Sequence, residues 1–141
     1  MTFSQRLSLA FSAGAVGALA NIAFLALAGA LGLVAALGID SPKPPMPGFL
    51  YKQMVWGGLW GFIFLLPIPD WSWWLRGLLF GLLASLSAMV IFMPMIHLPP
   101  GSVFADPGYF GLGWGALMPV LVLGANSAWG LVAAFWYQRV T

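Results

Sequence analysis

The chain has 141 residues, 62% of them hydrophobic and 6% charged, with a formal net charge of +2. A soluble domain carries about 25% charged residues, so this composition excludes a water-facing globular surface and places the chain in the membrane class. The five bases, Arg6, Lys43, Lys52, Arg76 and Arg139, are too scattered for a nucleic-acid face, and the absence of cysteine excludes disulfides, iron–sulfur clusters and thiol catalysis.

A helical span needs about 20 mostly apolar residues, and four stretches qualify. The first covers about residues 7–39, between Arg6 and Asp40. It is longer than a bilayer requires, which predicts a tilt or a bend near Gly29 and Gly32. With Arg6, an apolar core and small residues at Ala18 and Ala20, it also resembles a signal peptide. The apolar run continues far past a signal core, so it reads as a retained span. Ala10, Gly14 and Ala18 form a small-residue stripe along it, with Ala13 and Gly17 beside them, and Asn21 falls near its middle.

A loop over 40–49, "DSPKPPMPGF", leads to the second span, about 50–68. Lys52 and Gln53 bound that span on one side and Pro67 and Pro69 on the other. It carries GxxxG at Gly57 and Gly61, "GGLWG". A turn over 67–74 precedes the third span, about 73–96, with Gly77 and Gly81 in "GLLFG". Its Ser85 and Ser87 can bond back to their own helix, and Pro94 near its far end reads as a terminator. The second long loop, 97–110, is "HLPPGSVFADPGYF", where Asp106 can bond the turn backbone. The fourth span covers about 111–137. It opens on Gly111 and Gly115, "GLGWG", holds Pro119 where a kink is expected, and carries Asn126 and Ser127 near its middle.

The predicted fold class is an all-α membrane protein, one domain built as a bundle of four transmembrane helices. An even number of spans puts both termini on one side, with Arg6, Arg76 and Arg139. Lys43 and Lys52 lie on the other side, and three bases against two orient the termini to the cytoplasm. Trp71, Trp73, Trp74 and Trp136 then fall at the inner interface, and Tyr51, Trp56, Tyr109 and Trp114 at the outer one, where aromatic anchors belong. Lipid gives apolar faces no drive to associate, so small-residue stripes on every helix predict close backbone packing. "WGGLWGFIFLLP" in the second span and "GWGALMPVL" in the fourth form a faint internal echo.

An amide facing hydrocarbon costs several kcal/mol, so Asn21 and Asn126 are expected to turn inward, making the first and fourth helices neighbours. The amides can bond each other or Ser127. That is packing glue, or else the polar lining of a solute path; a pigment or metal ligand is the remotest reading. His97, the only histidine, and Asp106 sit on the outer side, as plain interfacial residues or as a ligand or docking point. No phosphate loop, metal spacing or nucleophile elbow is present, and the span centres hold no ionisable group. No catalytic residue, cofactor or metal is expected, and the chain reads as a non-enzyme.

The segment "LVLGANSAWGLVAAFWY", with "GGLWG" in the second span, resembles small four-span bacterial inner-membrane proteins of uncharacterised function. The resemblance implies a four-helix architecture, a multi-pass location in a bacterial inner membrane and no established activity. The leading expectation is an accessory or assembly protein in the bilayer that binds other membrane proteins, or itself, through helix faces. The alternative is an oligomeric transporter or pore for a neutral solute or lipid. The accessory reading predicts a closed bundle with a glycine-lined outer groove, and the alternative predicts an accessible cavity containing Asn21 and Asn126.

Overall fold

A computed structural model describes residues 1–141. All of the chain's regular secondary structure is helical, and it has no strands. Helix α1 runs Phe3–Ala30 and α2 is the single turn Leu33–Ala36; α3 is Gly48–Gly61, α4 is Trp73–Ser87 and α5 is Met118–Val140. Three continuous segments, Phe3–Ala30, Trp73–Met95 and Met118–Val140, are long and apolar enough to cross a membrane. Only 28 of 141 residues are buried, while Leu82, Leu83, Leu86, Val90 and Ile91 all stand exposed. Such a surface is stable against hydrocarbon and not against water.

The element boundaries follow local chemistry. A reciprocal capping box starts α1: Gln5 N–H donates to Thr2 Oγ1 (3.2 Å) and Thr2 N–H donates to Gln5 Oε1 (2.7 Å). At the other end the long first stretch does not merely bend. It stops at Ala30, because Gly32 takes a left-handed conformation, φ 78°. Helix α3 tightens into a 3₁₀ turn over Phe62–Leu65 before the prolines. Helix α4 widens into a π turn over Ala88–Phe92, where Met93 N–H reaches Ala88 O, and then closes as 3₁₀ at Met93–Met95. Pro94 sits in that last turn and has no N–H to return to the Val90 carbonyl.

The fourth stretch departs most from expectation. Its helix begins at Met118, not near 111, and Pro119 occupies the first turn instead of kinking the interior. The first N–H groups of a helix have no partner within it, so a proline there disrupts nothing. Gly111 and Gly115 therefore belong to no helical stripe. They lie in and after an irregular 3₁₀ turn, Tyr109–Trp114, at φ 67° and 152°. Gly111 abuts Met93 and Met118, and Gly115 approaches Gly38 and Ile39. The echo between "WGGLWGFIFLLP" and "GWGALMPVL" is not structural, since the first is helix and the second runs from a 3₁₀ turn through a break at 115–117 into the start of α5.

The long helices pack in the order α3–α1–α5–α4: α1 lies against both α3 and α5, and α4 lies against α5. Both outer seams are made by glycine. A Cβ on Gly14 would collide with the Gly57 carbonyl and crowd Gly61, and a Cβ on Gly130 would collide with Gly77. Gly17 fits against Trp129 and Gly81 against the Asn126 carbonyl. The stripes at Gly14, Gly17, Gly57, Gly61, Gly77 and Gly81 are thus used inside the bundle.

One apolar cluster joins Phe64, Phe80, Ala84, Trp129 and Ala133, and a second joins Ala28, Ile39, Met89, Met118, Leu121 and Val122. The long loop after α4 is tied down. Trp114 Nε1 donates to Ala105 O (2.7 Å), Gly113 N–H to Pro107 O (2.8 Å) and Asp40 N–H to Trp114 O (2.8 Å).

Candidate functional site

Helices α3 and α4 form no extended interface with each other. Between them runs a cleft of about 210 Å³ whose floor is α1 and α5. Asn21 and Asn126 meet on that floor, where Asn21 Nδ2 donates to Asn126 Oδ1 at 3.2 Å. Gln53, Trp56 and Trp60 line it from α3, and Phe92 and Met93 from the end of α4. Trp56 and Phe92 meet edge to face, ring centroids 5.0 Å apart, and bridge the two walls. Behind the asparagines, Trp129 is buried and its indole Nε1 donates to Gly14 O at 3.0 Å.

The amide pair is half satisfied. One hydrogen bond between two primary amides leaves one carbonyl oxygen and one NH₂ group free. Here these are Asn21 Oδ1 and Asn126 Nδ2. Neither has another partner in the protein, and neither is sealed from the cleft, since the only buried side-chain polar atom without a partner is Arg76 Nε. The floor therefore presents one acceptor and one donor side by side in an uncharged, aromatic-walled space. Such a site can bind a neutral group that both donates and accepts. It offers no acid, base or nucleophile.

Ser127 is not part of this pair. It lies about 100° further round α5, and its backbone packs against Gly81 of α4. Ser85 and Ser87 bond back to Gly81 O (2.8 Å) and Leu83 O (2.9 Å). His97 and Asp106 do come together, far from the cleft floor: His97 Nδ1 is 3.2 Å from Asp106 Oδ2, and Leu98 N–H donates to Asp106 Oδ1 at 2.7 Å. The Leu98 amide and then the His97 ring hold the Asp106 carboxyl below the usual carboxylate range. This arrangement staples the loop. Both side chains are well exposed, and no third metal-ligating side chain joins them.

The residues the sequence reading missed are Gln53, Trp56, Trp60 and Trp129. Their spacing carried a signal. Gln53, Trp56, Gly57 and Trp60 follow i, i+3, i+4, i+7, one face of a helix, and Asn126 and Trp129 are i, i+3. Assigning Trp56 to the outer interface hid that face. The chain matches no protein-family profile, no curated protein and no solved structure.

Proposed function

We propose that this is a multi-pass membrane protein that binds a neutral, hydroxyl-bearing amphiphile through the cleft between α3 and α4. The observation that carries this reading is the half-satisfied amide pair: a free NH₂ on Asn126 and a free carbonyl on Asn21, both facing an open, apolar-walled space. In a low-dielectric setting an unpaired amide costs about 1–3 kcal/mol. A hydroxyl supplies both a donor and an acceptor and so completes both groups at once. An anion would find no positive charge on the cleft walls. Ligand sites usually span about 300–1,000 Å³. A cleft of about 210 Å³ holds a head group and its first methylenes, with the chain passing between α3 and α4 into the bilayer.

The reading includes a four-span topology. Helix α3 and its 3₁₀ turn run unbroken from Gly48 to Leu65. Fourteen residues at about 1.5 Å and four at about 2.0 Å give about 29 Å, close to the hydrocarbon thickness. Arg6, Arg76 and Arg139 orient the termini to the cytoplasm of a bacterial inner membrane, against Lys43 and Lys52 outside.

A different observation favours a second reading, an accessory protein that docks on other membrane proteins. The far half of α1 exposes Ala23, Ala26, Gly29 and Ala30, and a Cβ on Gly29 would meet nothing. Titrating monoolein into the protein in phosphatidylcholine nanodiscs, read by native mass spectrometry, separates the two. Saturable binding that Asn126→Leu abolishes supports the cleft reading. Binding unchanged by Asn126→Leu, or no binding, rejects it.

A further inference from the structure

At the other end of the bundle a second cavity, about 450 Å³, lies beside the first turns of α1 and α4, the last turn of α5 and the turn after α3. Arg6, Arg76 and Tyr137 line it, and Leu65, Leu66 and Ile68 form an apolar wall. No side-chain carboxylate is among the lining residues. The one side-chain contact to a carboxylate within salt-bridge distance, His97–Asp106, belongs to the loop beyond the far end of α4.

Arg76 is half-buried here. It spends one donor on Phe64 O (3.2 Å), closing the 3₁₀ turn that ends α3, and its Nε is buried without a partner. A guanidinium carries five N–H donors, so Phe64 accounts for only a fraction of them. Arg6 is exposed and makes no hydrogen bond through its side chain, and the Tyr137 hydroxyl has no partner, its ring stacking on Phe64 at 5.6 Å. Two guanidinium groups without a side-chain carboxylate partner and a free phenol therefore line one apolar-backed recess, and Trp71 and Trp73 stand beside Arg76. Guanidinium groups match phosphate oxygens bidentately, and the Leu65–Ile68 wall suits the glycerol and first methylenes that follow a lipid phosphate.

We infer that Arg6, Arg76 and Tyr137 form a binding site for a phosphate-bearing anion, the head group of an acidic phospholipid. It is separate from the amide cleft and does not depend on it. The Phe64–Phe80–Trp129 packing stands between the two.

The test uses the full chain in nanodiscs and native mass spectrometry. Phosphatidylglycerol is compared with phosphatidylcholine, and inorganic phosphate is added in a second arm. Wild type should retain phosphatidylglycerol in preference. Arg6→Gln and Arg76→Gln should each weaken that preference about fivefold, the scale of one basic residue at a charged lipid surface. Arg6→Gln removes no protein hydrogen bond, so it reads the site even if Arg76→Gln loosens the α3 turn. Arg76→Lys should recover part of the loss. Displacement of phosphatidylglycerol by millimolar inorganic phosphate would leave the phosphate site standing and overturn its assignment to a lipid. Absence of lipid preference together with absence of phosphate binding, or a preference untouched in the Arg6→Gln/Arg76→Gln double variant, overturns the site. Asn126→Leu should leave every one of these readings unchanged.

Discussion

The α4–α5 seam and the cleft beside it draw on the same turns of α5, and Asn126 belongs to both. Its backbone carbonyl lies against Gly81, where no side chain fits, while its side chain turns the other way, to Asn21. On the seam side Ser85 Oγ donates to Gly81 O of its own helix and lies 3.5 Å from Val122 O across the seam. On the cleft floor one donor and one acceptor of the asparagine pair stay open. A bundle without a hydrophobic drive for association is held by close backbone approach. That frees the protein to leave α3 and α4 apart and to keep a polar floor accessible between them. The division predicts that substitutions on the two sides fail differently: seam changes lose the fold, and cleft changes lose the ligand.

The largest expected effect is on the seam. Gly130→Leu forces a side chain into the Gly77 backbone and should destabilise by about 3 kcal/mol, the upper end for overpacking. Thermal unfolding in detergent would read it, and a wild-type transition would break the seam account. Next comes Trp129→Phe, which keeps an aromatic ring behind the asparagines but is smaller than the indole and removes its bond to Gly14 O. A loss of about 2 kcal/mol is expected in the same assay, the missing hydrogen bond together with the space the smaller ring leaves. Asn126→Leu should cost less, about 0.6 kcal/mol, while abolishing monoolein binding. That split between a small stability loss and a complete binding loss sharpens the contrast with Gly130.

The smallest effect lies outside both regions, in the loop closed by Asp106. The folded state lowers the Asp106 pKa, so its stabilisation is fully present above the unfolded value near 3.9. It is lost as pH falls through the lower folded value. Protection of the Leu98 amide, relative to its intrinsic exchange rate, should therefore hold at neutral pH and fall only below about pH 4. Asp106→Asn should weaken the Leu98 bond without abolishing it. Equal exchange at pH 3 and pH 7, after correction for intrinsic rates, would contradict this.

Much of this architecture was legible in the sequence for physical reasons. Long apolar runs with few charges dictate spanning helices, and two lone amides in such runs dictate that their helices meet, as Asn21 and Asn126 do. Other features were not legible. Pro119 carries one meaning within a helix and another in its first turn, and hydropathy alone does not locate that turn. Gly111 and Gly115 matched a packing stripe only because GxxxG spacing says nothing about whether the segment is helical. Gly130, which makes the closest approach to α4, belongs to no GxxxG pair, since four residues before and after it stand Asn126 and Ala134. The cleft is a property of helix order. Nothing in the composition of α3 and α4 states that they stay apart, although the face Gln53–Trp56–Trp60 marks where a partner would sit.

The central claim, that Asn21 and Asn126 offer an open donor and acceptor to a neutral ligand, has a direct test, because these are the only two asparagines in the chain. Protein labelled with ¹⁵N at asparagine alone gives two side-chain NH₂ signals. On titration with monoolein in phosphatidylcholine nanodiscs, the Asn126 pair should shift and saturate, with a smaller change at the Asn21 pair already bonded to it. Two signals that stay fixed while monoolein is present in excess would contradict the account.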